Sequence, residues 1–430
     1  MSEATLDVQA GEPLQPEGDL QSVESAAPTA DRERFVCVDV LRGFALLGIL
    51  VMNIQSFAMV ATAYMNPNAL GPIEGGDYYV WLLSHVFADQ KCMTLFSLLF
   101  GAGIMMMSEH QAAKSLPAAG LHYRRMIWLF VIGMIHAYAL WYGDILVTYA
   151  ICGSIAFLFR KLRPSFLLTL GLLALLVPSL ISLAFGYSMS YWPEEQIREM
   201  ELDSWQPTAE IIEEELSTYR GSWMEQMPDR AFASLMMQTF IFLIQYGWRA
   251  GGLMLIGMAF WKWNILQGKR SSVFYTTLIL VGSLGIPIIL LGVHRNFEAN
   301  WSIEYSFFQG SQFNYWGSLF VSLAYVGCAM LACKSSSVLR CLRPLAAVGQ
   351  MALTNYLMHT IICTTIFYGH GFGLYGTFNR VEQLLLVLAI WTLQLVGSPF
   401  WLKRFRFGPF EWLWRSLSYW QIQPMRRAVG

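Results

Sequence analysis

The segment Val36-Cys-Val-Asp39-Val-Leu-Arg42-Gly43-Phe-Ala-Leu-Leu-Gly48-Ile-Leu-Val-Met-Asn53-Ile-Gln-Ser-Phe-Ala-Met-Val60 decides the fold. It is dominated by apolar side chains and longer than the ~20 residues that a helix needs to cross a bilayer. Nine further stretches read the same way: 80–107, 125–142, 145–160, 165–186, 232–261, 272–292, 315–333, 344–368 and 382–402. Asp89-Gln90-Lys91 interrupts the second stretch, predicting an interfacial helix followed by a true span that begins near Met93. Pro178 and Pro287 are expected to kink the fifth and seventh.

Composition agrees. Of 430 residues, 55% are apolar and only 13% charged, about half the usual charged share of a soluble domain. So few charges cannot cover a water-facing surface, so apolar surface must face lipid. The fold class is all-α, a polytopic transmembrane helix bundle of about ten spans. The net charge of −1 gives no sign of a nucleic-acid partner; the surrounding partners are membrane lipids. Self-association is left open.

Basic residues alternate between loops. Arg32 and Arg34 precede the first stretch; Lys114, Arg124 and Arg125 follow the second; Arg160, Lys161 and Arg163 the fourth. Lys262, Lys269 and Arg270 follow the sixth, Lys334, Arg340 and Arg343 the eighth, and Lys403, Arg404 and Arg406 the tenth. Such loops belong in the cytoplasm, which places both termini on the cytoplasmic side of a bacterial inner membrane. The segment 187–231 carries eleven acidic residues against Arg198, Arg220 and Arg230, and reads as an extracytoplasmic insertion with a short helix around Glu213-Glu214-Glu215. Residues 1–33 are polar and acidic, a disordered cytoplasmic tail; 34–402 form the helical domain; 403–430 mix base with Phe and Trp, an amphipathic interfacial segment.

The seven cysteines are odd in number, lack Cys-x-x-Cys spacing and lie mostly inside apolar runs. They read as helix-interface residues rather than a disulfide framework or metal site. No Walker A, His-Glu-x-x-His or Gly-x-Ser-x-Gly sequence occurs.

Ionisable residues within spans face a bundle interior and are candidate sites. Arg42 and Asn53 are eleven residues apart, hence within about 20° on one helix face, with Asp39 nearly in line. Arg125 and His136 repeat that spacing. Asp144 opens the fourth stretch, where a carboxylate suits a helix N-terminus. His136 is a candidate general base, since imidazole exchanges protons near neutral pH; a hydrogen-bonded packing role serves it equally well. The alternative reading is an interhelical lock, in which Asp39 and Arg42 neutralise each other and Asn53 bonds to a neighbouring helix. Arg249 has no carboxylate in its own helix, so its partner is another helix or a bound anion. Asn355 and His359 share a face at i, i+4. A single polar cavity between the first, third, sixth and ninth spans would house them all.

Asp39-Val-Leu-Arg42-Gly43, Thr94-Leu-Phe-Ser-Leu-Leu-Phe-Gly101-Ala-Gly103, His136 with Trp141 and Gly143-Asp144-Ile-Leu, Val348-Gly-Gln-Met-Ala-Leu-Thr-Asn355-Tyr356, and Gly408-Pro-Phe-Glu-Trp412 follow one another in order. This series resembles the YeiB-like bacterial membrane proteins, the domain of unknown function numbered 418. The Asp-x-x-Arg-Gly start is also similar to that of the transmembrane acyltransferase superfamily, which includes the acyltransferase-3 branch and heparan-α-glucosaminide N-acetyltransferase. The acyltransferase-3 branch has His eleven residues after the helix-one Arg; here Asn53 stands there, as in the heparan acetyltransferase branch, and the next His is His85.

That resemblance implies transfer of an acyl group from cytosolic acyl-CoA to an extracytoplasmic acceptor, by O- or N-acylation without a metal. Catalysis would fall to His136 as base, Asn53 as oxyanion donor and Asp144; Asp39, Arg42, Arg125, Arg249, Asn355 and His359 would bind substrates. The alternative is a transporter or exporter of a small or lipidic solute, which intramembrane charges and kinked spans also fit.

Overall fold

The computed structural model describes residues 35–427; the expected tail 1–33 lies outside them. We number the principal helices α1 Val36–Ala58, α2 Gly75–Phe87, α3 Lys91–Ala113, α4 Ala118–Ile135, α5 Leu146–Ala156, α6 Pro164–Ser188, α7 Glu194–Ser204, α8 Ala209–Arg220 and α9 Met227–Met236. There follow α10 Gly247–Lys262, α11 Ser272–Ser283, α12 Gly285–Glu298, α13 Ser311–Lys334, α14 Arg343–Gln350, α15 Ala352–Phe367, α16 Arg380–Arg404 and α17 Pro409–Tyr419. Among the described residues the only β pairing is an isolated bridge between Phe405 and Arg426. The protein is a multi-pass, all-α membrane protein.

Seven helical segments are long and apolar enough to cross a bilayer: Val36–Ala58, Gly75–Ala113, Pro164–Tyr191, Met227–Lys262, Ser272–Glu298, Ile303–Lys334 and Arg380–Arg404. The other three expected spans coincide with shorter or more polar helices, α4, α5 and α15. The expected 344–368 span is two helices, α14 and α15, parted at Met351. The expected interruption at Asp89-Gln90-Lys91 is present; Gln90 adopts a left-handed backbone (φ 62°), and α3 resumes at Lys91 rather than Met93. The prolines behave differently from one another. Pro178 sits inside an uninterrupted α6, whereas the seventh span divides at Leu284, three residues before Pro287.

Helices α1, α3 and α10 form the centre, and α3 and α10 cross closely. Glycine permits this: a Cβ on Gly101 would strike the Met254 carbonyl, and one on Gly257 the Leu98 carbonyl. The same small-residue logic seats α14 on α1, where a Cβ on Gly43 would meet the Leu345 carbonyl. Peripheral α6, α11 and α16 instead turn leucines outward. Leu180, Leu280 and Leu393 are all more than half exposed, as an apolar solvent requires.

The acidic insertion is folded. Helix α8 contains Glu213-Glu214-Glu215, as expected. Trp205 donates to the Trp301 carbonyl (2.6 Å) while its own carbonyl accepts from Asn66 (3.0 Å). Glu215 accepts from Ala61 N (2.8 Å) and Tyr375 OH (2.6 Å). The insertion is thus bonded to the 59–66 and 368–375 loops at one end of the bundle.

Candidate functional site

Helix α4 rises from Arg125 and widens at its end into a π-helical turn, His136–Leu140. Such turns leave carbonyls without their usual helical partners and often mark working sites. Here Ala137, Tyr138 and Ala139 accept instead from Ser234 Oγ (3.1 Å), Arg230 Nε (2.8 Å) and Trp223 Nε1 (2.7 Å). The strand-like turn that follows returns Asp144 to the first residue of the π turn.

Asp144 Oδ1 lies 2.8 Å from His136 Nδ1, and Oδ2 accepts from Val147 N at 2.8 Å in the opening turn of α5. The carboxylate therefore meets a helix N-terminus, as its position suggested, and in addition holds a histidine, which its position did not reveal. His136 Nε2 lies 2.8 Å from Thr360 Oγ1 on α15. The side chains of His136 and Asp144 are 1% and 2% exposed, with the Tyr356 ring 5.3 Å and the Trp141 ring 6.4 Å from the imidazole. When Asp144 is ionised it can only accept, which would put the proton on Nδ1 and leave the Nε2 lone pair facing the Thr360 hydroxyl. That is the arrangement of an oriented general base.

At the basic end, Arg42 pairs with Asp39 at 3.0 Å. The Arg125 guanidinium lies over Trp414 of α17 at 4.5 Å, and the Trp414 indole donates to the Arg125 carbonyl (2.9 Å). The stripe joining Arg42 to Asn53 is polar only at its ends, because Leu46 and Leu50 between them are fully buried. Asn53 is partly exposed and makes no side-chain hydrogen bond among the described residues. It shares a face with Phe57, whose ring packs 4.1 Å from Trp141 beside the dyad. Helices α1 and α4 do not pack along their lengths; α3 contacts both, and α15 contacts α1 and the π turn.

The expectation of one cavity holding every polar residue needs correction. Asn355 donates to Ser398 Oγ (3.1 Å) and Val348 O (3.2 Å), and Gln394 bonds both His359 Nε2 (2.9 Å) and the Asn355 carbonyl (3.1 Å). These two residues join α15 to α16. Arg249 faces α3 and α13, donating to Thr94 Oγ1 (3.2 Å) and Ser318 Oγ (2.9 Å). Helical periodicity aligns residues within one helix but does not specify which neighbour each face meets.

Two functional-looking residues carried no clear signal in sequence. Thr360 is one of many hydroxyls in apolar helices, and only the fold brings it to His136. Glu411, in the Gly408-Pro-Phe-Glu run, accepts from Leu353 N (2.6 Å), Thr354 N (3.0 Å) and Thr354 Oγ1 (2.5 Å), capping α15 from α17. Burial pushes its carboxyl pKa up, against the pull of those hydrogen bonds.

Residues 260–421 match a family described as a protein of unknown function (DUF418). The chain is 32% identical over 391 residues to the uncharacterized protein YeiB of Escherichia coli (strain K12), covering 90% of this chain and 96% of that protein. It is 30% identical over 426 residues to the uncharacterized protein YxaH of Bacillus subtilis (strain 168), covering 95% and 100% respectively. The similarity thus extends across almost the whole bundle, and the chain belongs to the YeiB-like family of DUF418 proteins.

Proposed function

We propose that this protein is a membrane-embedded acyltransferase that takes an acyl group from cytosolic acyl-CoA and delivers it to an extracytoplasmic acceptor. The observation that carries this reading is the buried Asp144–His136 pair whose second ring nitrogen meets a hydroxyl at 2.8 Å. In it, the Thr360 hydroxyl occupies the place an acceptor hydroxyl takes during proton removal. Arg42 and Arg125, at the basic end, supply cations for the phosphates of the donor. By the helical rise they lie about 16 Å below Asn53 and His136 respectively, a length that suits an extended pantetheine arm. Asn53 offers an uncommitted amide as oxyanion donor. The accompanying topology is that of a bacterial inner-membrane protein with both termini in the cytoplasm and 187–231 outside.

Thiol release from acetyl-CoA and octanoyl-CoA, using protein in nanodiscs with an extract of cell-envelope acceptors, tests the reading. Wild-type release should fall by roughly 10²–10⁴-fold in His136→Ala. Equal release from wild type and variant would remove the enzyme reading. Transport would then lead, favoured by the interrupted α2–α3 helix and the charges at its break.

A further inference from the structure

A second buried polar cluster lies at the α2–α3 break, away from the His136 dyad. Lys91 is completely buried. Its ammonium donates to the His85 carbonyl at 2.5 Å and to Asn314 Oδ1 of α13. Asn314 in turn donates to Asp89 Oδ2 (2.7 Å), and His85 Nδ1 approaches the same oxygen at 3.3 Å. Arg249, 2% exposed, reaches the cluster from α10. Its bonds go only to neutral acceptors: Thr94 Oγ1, Ser318 Oγ and the Tyr315 carbonyl (3.4 Å), with the guanidinium 4.3 Å from the Tyr315 ring. Its Nε, also buried, has no acceptor.

Two buried cations therefore share one nearby carboxylate, and no salt bridge joins either cation to it among the described residues. Asp89 reaches Lys91 only through the Asn314 amide. Arg249 thus carries a buried charge in a water-poor bundle that no carboxylate contacts directly. Uncompensated buried charge is strongly unfavourable, and neutral hydroxyls relieve it only in part. The cluster is not sealed, since Asp89 and Gln90 are partly exposed whereas Lys91 and Arg249 are not.

We propose that Lys91 and Arg249 form a receptor for a phosphate group, entered past Asp89 and Gln90. A phosphate offers several oxygens and one to two negative charges, which suits a guanidinium with a spare N–H, an ammonium and the hydroxyls of Thr94 and Ser318. Arg249 is about 20 Å along α10 from Lys262, so the receptor lies in the half of the bundle opposite that basic end. The site stands independently of acyl transfer and serves a transported or an acylated phosphate-bearing molecule alike.

Two sources of phosphate are separable. Thermal unfolding is followed in phosphatidylcholine nanodiscs, either with sodium phosphate added at constant ionic strength or with phosphatidylglycerol included in the disc. A saturable rise in Tm with sodium phosphate identifies a soluble ligand; a rise with phosphatidylglycerol alone identifies a lipid head group. Arg249→Gln should weaken the response at least about tenfold, the loss of one charge-assisted contact, while Lys91→Arg keeps it. No response of the wild type to either probe, or an undiminished response in Arg249→Gln, would overturn the proposal. Should Arg249→Gln not fold, native mass spectrometry of the wild type decides: a retained phosphate-bearing mass supports the receptor, and bare protein in both preparations refutes it.

Discussion

Replacing Asp144 by Asn keeps the shape of the side chain and changes what it can do. The carboxylate accepts twice, from His136 Nδ1 and from Val147 N, both at 2.8 Å. An amide has one accepting oxygen. If that oxygen stays with Val147, the NH₂ group faces Nδ1, and the imidazole must move its proton to Nε2. The ring then donates to Thr360 and presents no lone pair there. A charge-assisted bond of about 1.5–3 kcal/mol gives way to a neutral one of about 1 kcal/mol, so the stability loss should be about 0.5–2 kcal/mol. Asp144→Ala should lose more, about 2–4 kcal/mol, because it strands the buried Val147 N–H as well. Turnover of acyl-CoA in Asp144→Asn should fall by roughly 10²–10⁴-fold, since the base is held in the wrong tautomer. The assays are chemical unfolding and thiol release from nanodisc-embedded protein. Turnover within threefold of wild type, in a variant with the expected stability loss, would show that Asp144 merely packs and that His136 is not the base.

Orientation is tested in a cysteine-free background. Glu199→Cys in the acidic insertion should react with an impermeant maleimide in intact cells, and Ala113→Cys only after permeabilisation; the reverse pattern would invert the topology. Gly101→Ala should destabilise the protein by at least about 2 kcal/mol, because its Cβ meets the Met254 backbone, which cannot turn aside as a side chain can; unfolding in nanodiscs measures it. Burial raises the Glu215 carboxyl pKa, while the Tyr375 and Ala61 hydrogen bonds lower it in part. A raised folded pKa means that the native state holds the proton more tightly, so this residue's contribution is full below its unfolded pKa and declines as pH rises through the folded value. Glu215→Gln should flatten the fall in stability above the ordinary carboxylate range, and an unchanged pH–Tm curve would contradict that assignment.

Hydropathy made the bundle legible because the solvent imposes it: long apolar helices must form wherever the chain meets lipid. The break at Asp89-Gln90-Lys91 was legible for the same reason, since charges there interrupt an apolar run. The Arg42–Asp39 pair and the alignment of Arg125 with His136 are local, and helical periodicity reaches them. The partners of Arg249, Asn355 and His359 lie on helices distant in sequence, and nothing in their own segments specifies those contacts. Thr360 shows the limit most plainly: its chemistry is ordinary until the fold places it against Nε2. Pro178 and Pro287 show another limit. The residue is the same, but only one helix divides near it, at Leu284, where α11 and α12 both lie along α13.

The π turn at His136 is fastened from outside. Three of its carbonyls are held by Trp223, Arg230 and Ser234, in the stretch that links the acidic insertion to the core. The insertion is thus the anchorage of the histidine's backbone and cannot be treated as a removable loop. Anyone shortening 187–231 to ease crystallisation would slacken that mooring and disturb the imidazole without touching it. An antibody fragment raised against the same surface would conversely act as a handle on His136, tightening or releasing it through its own backbone.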